Sequence, residues 1–137
     1  MRNNLFIIDT NTLISSSLFK YSNPRKAFKK ATQIGKISAS IETYDEFFEA
    51  FLRSKFDKYI SGETRLEILE DFKRLAIFSE ISETITDCRD PKDNKFLELT
   101  ISANASCIIT GDKDLLVLHP FRGIPILNAV DFINNFL

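Results

Sequence analysis

Five acidic residues stand where a carboxylate can do chemistry: Asp9, Glu46, Asp93, Asp112 and Asp114. Asp9 closes the apolar run Leu5-Phe6-Ile7-Ile8, and Asp112 follows Cys107-Ile108-Ile109-Thr110 across the single Gly111. Glu46 is the middle member of a stripe with Glu42 and Glu49, whose mutual repulsion of roughly a few tenths of a kcal/mol per pair a bound cation would reverse. Asp93 shares a helical register with Leu97 and Thr100, which turns it towards the protein, where an unpaired charge is costly and needs a partner. Ligation by carboxylate oxygens alone suits Mg²⁺ or Mn²⁺, with water and phosphate oxygens completing the shell. Two such ions about 3.5–4 Å apart activate water and stabilise the leaving oxygen of a phosphodiester.

Each acid also has a structural reading. Asp9 can cap the helix that follows it, Asp112 can close an Asx turn after Gly111, and Asp114 can be either a ligand or the cap of a short helix at Leu115-Leu116. The glutamate stripe can be a solvated face. Asp93, three residues beyond a capping Asp90, can simply favour a helix N-terminus. Other chemistries lack their parts. His119 is the lone histidine and precedes Pro120 in a loop, and no Ser-His-Asp set, GxGxxG or GxxxxGK[ST] stretch occurs. Cys88 and Cys107 are too few and too isolated for a disulfide framework or a zinc site, so they read as small buried thiols in a reducing compartment.

The elements that must position these acids alternate between the two periods. Leu5–Ile8 reads as a buried strand, Thr10–Leu18 as a short helix, and Asn23-Pro24 as a helix start with Asn23 the cap and Gly35 the stop. Lys36–Ala39 reads as a second strand. Residues Ile41–Arg53 form a helix burying Ile41, Tyr44, Phe47, Phe48, Phe51 and Leu52. Ser61-Gly62 opens another helix with Leu66, Leu69, Phe72 and Leu75 on its inner side, leading to a strand at Ile77-Phe78. Asp90-Pro91 starts a helix to about Ala105, Cys107–Thr110 and Ile124–Leu127 are strands, and Asn128 caps a closing helix over Ala129–Phe136. Alternating strands and helices indicate an α/β fold whose parallel sheet is covered on both faces, with ligands beyond the carboxyl ends of the strands. That edge holds both Asp9 and Asp112.

A chain of 137 residues points to one domain spanning residues 1–137, and its 13 phenylalanines can fill a core. No apolar run reaches membrane length and Asp9 interrupts the first one, so a cytoplasmic protein without signal peptide or membrane partner is expected. Net charge is −1, but from Asp9 to Glu42 the only charges between are Lys20, Arg25, Lys26, Lys29, Lys30 and Lys36. That stretch is either a solvated helix face or a phosphate-binding patch.

Taken together, Ile7-Ile8-Asp9-Thr10-Asn11, Thr43-Tyr44-Asp45-Glu46-Phe47 with Arg53-Ser54-Lys55-Phe56 behind it, Asp90-Pro91-Lys92-Asp93-Asn94-Lys95-Phe96-Leu97-Glu98, and Ile109-Thr110-Gly111-Asp112-Lys113-Asp114-Leu115 resemble the motifs of the PIN-domain nucleases. The tail His119-Pro120-Phe121-Arg122-Gly123-Ile124 is similar to that of a bacterial branch described as toxins of toxin–antitoxin pairs. The resemblance runs in order through nearly the whole chain. It implies a three-layer α/β/α fold around a five-stranded parallel sheet. It also implies Mg²⁺- or Mn²⁺-dependent cleavage of single-stranded RNA, a cognate antitoxin of a type II pair, and often a homodimer. Asp9, Glu46, Asp93 and Asp112 match its acidic quartet, Asp114 a secondary acid, and Thr10, Asn11 and Thr110 its polar supports, with Asp90 beside them. The segment Glu63–Glu83 is variable.

On this reading Asp9 and Asp112 anchor the principal ion, Asp93 helps to hold it or a second ion, and Glu46 orients water or completes coordination. Arg25, Lys26, Lys29, Lys30, Arg53 and Lys55 attract the RNA backbone. Two rivals stand beside it. A haloacid-dehalogenase-like phosphatase needs a second acid two residues after its nucleophile, where this chain has Asn11. A non-catalytic RNA-binding or antitoxin-partner module with a degenerate metal site is compatible with the same residues.

Overall fold

The computed structural model describes residues 4–136. Its elements are β1 (Leu5–Ile8), α1 (Thr10–Leu18), α2 (Asn23–Ile34), β2 (Lys36–Ala39), α3 (Ile41–Phe51), α4 (Gly62–Leu75), β3 (Ile77–Phe78), α5 (Asn94–Ser102), β4 (Cys107–Ile109), α6 (Lys113–Leu116), β5 (Ile126–Leu127) and α7 (Ala129–Asn135), with short 3-10 turns at Ser54–Phe56 and Pro91–Asp93. All strand pairings are parallel, in the order β3-β2-β1-β4-β5.

The period of two along each strand separates two cores. Phe6, Ile8, Cys107 and Ile109 enter one layer with Leu13, Ala27, Ala31, Phe47, Phe51, Leu69, Phe72 and Phe132. Ile7 and Ile108 enter the other with Ile85, Phe96, Leu97, Leu99, Leu115 and Ile126. The result is the three-layer α/β/α arrangement expected around five parallel strands. Strand order reverses between β1 and β4, so the crevice beyond their carboxyl ends is the topological switch point where such sheets bind ligands. The Asp9 N–H reaches across it to the Ile109 carbonyl at 3.2 Å.

Several element ends differ from the sequence expectation, each for a local reason. The cap of α2 is Ser22, whose hydroxyl accepts from the Arg25 N–H at 3.2 Å, so Asn23 and Pro24 occupy the first turn. On α4 the inward row is Arg65, Leu69 and Phe72, while Leu66 (45% exposed) and Leu75 lie outside it. Arg65, only 2% exposed, donates to the carbonyls of Phe51 (2.8 Å) and Arg53 (3.1 Å) and pairs with Asp57, so it satisfies the C-terminal end of α3. The segment after Asp90 is a 3-10 turn before α5 rather than one helix, and Asn104, at φ 52°, turns the chain after Ser102. Strand β5 starts at Ile126 because Ile124 closes a tight turn with Phe121. His119 has a structural role: its Nδ1 accepts from the Ile126 N–H at 2.9 Å. Gly35 follows α2 in extended backbone, where a Cβ would sit 2.4 Å from the Asn4 carbonyl oxygen, so the position calls for glycine. Among the described residues no helix is long and apolar enough to cross a membrane.

Candidate active site

Asp9 is 5% exposed and uses both carboxylate oxygens. Oδ1 accepts from the Thr12 N–H at 3.0 Å, capping α1, and Oδ2 accepts from the Thr110 hydroxyl at 2.6 Å. Asp9 therefore caps α1 with one oxygen and is tied to the end of β4 by the other. Burial raises its pKa, the bonds from Thr110 and Thr12 oppose that rise, and the charge of Asp112 adds to it.

Thr110 also accepts from the Asp112 N–H at 3.0 Å, so one fully buried hydroxyl ties β1 to the turn after β4. Asp112 caps α6, its Oδ1 accepting from the Asp114 N–H at 2.8 Å. The cap of this short helix is thus Asp112, and Asp114 sits in its first turn. The Asp114 carbonyl accepts from the Cys88 thiol at 3.6 Å, and the charge of Asp114 falls on Cys88 together with those of Asp93 and Asp112. Burial is the largest cause of the raised Cys88 pKa.

Asp93 also feels the charge of Asp112. Its pKa is pushed up to about 7, first by burial, then by its contact with the Asp112 carboxyl, then by the charges of Asp90 and Glu46. Its Oδ2 is buried without a hydrogen-bond partner. Asp90 caps the 3-10 turn through the Lys92 N–H at 3.1 Å and so fixes the segment presenting Asp93. Of the glutamate stripe, Glu42 and Glu49 are exposed, whereas Glu46 turns in. Its Oε1 accepts from the Thr10 hydroxyl at 2.6 Å and its Oε2 from the Lys95 ammonium. No local spacing announces the Lys95 pairing, because its partner lies 49 residues away. Asn11 is exposed on the rim of a shallow depression that it lines with Asp9, Thr12, Ser15, Pro24, Gly111 and Asp112.

The basic residues divide. Lys30 is a correction: its ammonium donates to the carbonyls of Phe132 (2.9 Å), Ile133 (3.0 Å) and Phe136 (2.6 Å), closing the C-terminal end of α7, so it is not free for phosphate. Arg25 donates to the Ser16 carbonyl at 3.2 Å. Lys26, Lys29, Arg53 and Lys55 are exposed.

The chemistry of the donors fits a hard divalent cation. The candidate donors are all carboxylate oxygens, one of them is buried and unpartnered, and the charge of Asp112 raises the proton affinity of both Asp9 and Asp93. Among the described residues no three acids form a ready-made cage. Magnesium does not require one, since it commonly takes one or two carboxylates and keeps its waters.

The family model of the PIN domain matches residues 6–114, a stretch containing Asp9, Glu46, Asp93, Asp112 and Asp114. The chain belongs to the PIN-domain family. One relative of this PIN domain, uncharacterized protein MJ1680 of Methanocaldococcus jannaschii, is 34% identical over 117 residues, 82% of this chain and 74% of that one. The PIN fold also superposes on VapBC2 from Rickettsia felis bound to a DNA fragment from their promoter, with TM-score 0.59 and 13% identity over 90% of this chain and 98% of that one. DNA-bound VapBC from Salmonella typhimurium gives TM-score 0.55 and 20% identity over 92% and 98% of the two chains.

Proposed function

We propose that this PIN domain is a Mg²⁺- or Mn²⁺-dependent endoribonuclease that hydrolyses phosphodiester bonds in single-stranded RNA. The observation that supports the reading is the pair of Thr110 hydrogen bonds that joins Asp9 and Asp112 at the switch point of the sheet, with the charge of Asp112 acting on Asp93 as well. Asp9, Asp112 and Asp93 would hold the ion. When bound, a divalent ion lowers the pKa of water and stabilises the leaving oxygen of a phosphodiester. Thr110 and the Thr12 N–H fix the Asp9 rotamer, and the Asp114 N–H fixes that of Asp112, the supporting role that orients ligands. Glu46, with both oxygens engaged by Thr10 and Lys95, orders water and charge beside the pocket rather than ligating directly.

The test is Mn²⁺-dependent cleavage of labelled single-stranded RNA by the wild type and Asp9→Asn. The wild type cleaves, Asp9→Asn does not, and EDTA abolishes turnover. Equal activity in both proteins, or activity that survives EDTA, removes the proposal.

The same reading makes the chain the toxin of a type II pair. The likeness of its motifs to the bacterial toxin branch supports this, and the two solved structures named above are VapBC complexes on DNA. A small reading frame for a DNA-binding partner beside this gene is the expected companion. The engagement of Glu46 by Lys95 and the lack of a three-acid cage among the described residues favour one second reading: a non-catalytic RNA-binding or antitoxin-partner module. Such a protein would bind RNA with salt dependence, yet show neither turnover nor thermal stabilisation by Mn²⁺.

A further inference from the structure

We propose that aromatic and lysine side chains of the α1–α2 turn and the α3–α4 loop form a platform on which the bases of an unpaired RNA strand stack beside the acidic depression. The inference rests on the nuclease reading for its ligand, but on different residues. Tyr21 is 84% exposed, Tyr59 48% and Phe19 45%, an unusual concentration of uncovered rings. Phe19 and Tyr59 meet edge to face with centroids 5.6 Å apart, so the two connections form one surface. Lysines attend the rings: Lys20 lies 5.7 Å from the Tyr21 centroid, Lys55 5.1 Å from Phe56 and Lys58 5.2 Å from Tyr59.

Both connections are held. Ser22 bonds back to the Phe19 carbonyl through its N–H (3.1 Å) and hydroxyl (2.7 Å), while buried Arg65 anchors the loop through the carbonyls of Phe51 and Arg53. Asp57, the acid within this loop, is paired with Arg65, leaving Arg53, Lys55 and Lys58 as the exposed charges around it. The platform adjoins the acids, because Pro24, three residues beyond Tyr21 and so within about 11 Å of it along the chain, lines the depression with Asp9 and Asp112. Exposed rings interleaved with lysines are what single strands use: rings for base faces, ammonium groups for phosphates. Protein interfaces instead deplete lysine.

Binding of a labelled oligouridylate in EDTA, where the proposed chemistry cannot turn over, tests this. Tyr21→Ala and Tyr59→Ala should each weaken binding by roughly five- to 100-fold, and Tyr21→Phe should restore it. Lys20→Ala and Lys58→Ala should each flatten the salt slope by about 0.7. A hairpin duplex should be almost indifferent to the tyrosine changes. The chain has no tryptophan and Tyr44 is buried, so quenching of tyrosine fluorescence by the oligouridylate reports Tyr21 and Tyr59 directly. Unchanged oligouridylate affinity in both alanine variants overturns the platform, as does a loss of self-association in their place. Tyrosine-dependent binding by a wild type that cuts no RNA in Mn²⁺ would sink the hydrolytic reading and leave the platform standing. Cleavage with tyrosine-independent binding would do the reverse.

Discussion

The Thr110 hydroxyl donates to Oδ2 of Asp9 at 2.6 Å across a sequence separation of 101 residues, and the Thr110 Oγ1 itself accepts the Asp112 N–H at 3.0 Å. Its single proton is committed to Asp9. This threonine therefore ties the two strand-end acids together, through the side chain of one and the backbone of the other.

Thr110→Val keeps the shape and removes the bond. Loss of such a support should reduce Mn²⁺ affinity and cleavage by about 10- to 100-fold. It should also cost roughly 1–3 kcal/mol of stability, because buried Asp9 loses a donor. Mn²⁺ titration and urea melts read the two effects separately.

Asp93 gives a pH signature. In the folded chain its pKa is pushed up to about 7 from an ordinary value of 3.8. Between these values the folded state holds a proton that the unfolded state has released. Its stabilising contribution is complete below about pH 4 and is lost as pH rises through about 7. Buried Asp9, also raised, has the same sign. In EDTA the Tm should fall from about pH 5 to about pH 7.5, and the fall should be smaller in Asp93→Asn. A Tm that rises over this interval by the same amount in both proteins would contradict the assignment.

Glu46 and Lys95 form a partly exposed pair. A double-mutant cycle with Glu46→Gln and Lys95→Met should give a coupling of about 1 kcal/mol or less. If Glu46 orders water rather than ligating, the coupling measured in Mn²⁺ should equal that in EDTA. Its disappearance in Mn²⁺ would show Glu46 changing partner from Lys95 to the ion.

Two glycines should differ in their tolerance of alanine. At Gly35 a Cβ would collide with the Asn4 carbonyl and the Phe6 ring, whereas at Gly111 nothing lies within 4 Å. Gly35→Ala should cost roughly 1–3 kcal/mol by overpacking, and Gly111→Ala should be nearly neutral. Chemical denaturation distinguishes them.

Much of this was legible in the chain. The apolar run ending at Asp9 and the run ending before Gly111 each signalled a buried strand, and a parallel sheet must bring their carboxyl ends to one edge. What was not legible depended on partners distant in sequence. Lys30 looked like one more surface lysine until α7 placed three carbonyls around it. Apolar periodicity on α4 favoured Leu66, but the end of α3 needed donors and drew Arg65 inward instead. Ser22 and Asn23 are both good caps standing side by side, and only backbone geometry selects Ser22. Lys95 had no signal, since its partner lies on another helix.

The most direct test of the shared acidic pocket is the affinity of Mn²⁺ for the wild type and for Asp112→Asn, measured calorimetrically. Asp112 acts electrostatically on Asp93 and is joined through Thr110 to Asp9, so its neutralisation should weaken Mn²⁺ binding by at least about tenfold while the fold persists. Equal Mn²⁺ affinity in the two proteins would mean that the three carboxylates do not act on a common cation, and the proposed chemistry would lose its basis.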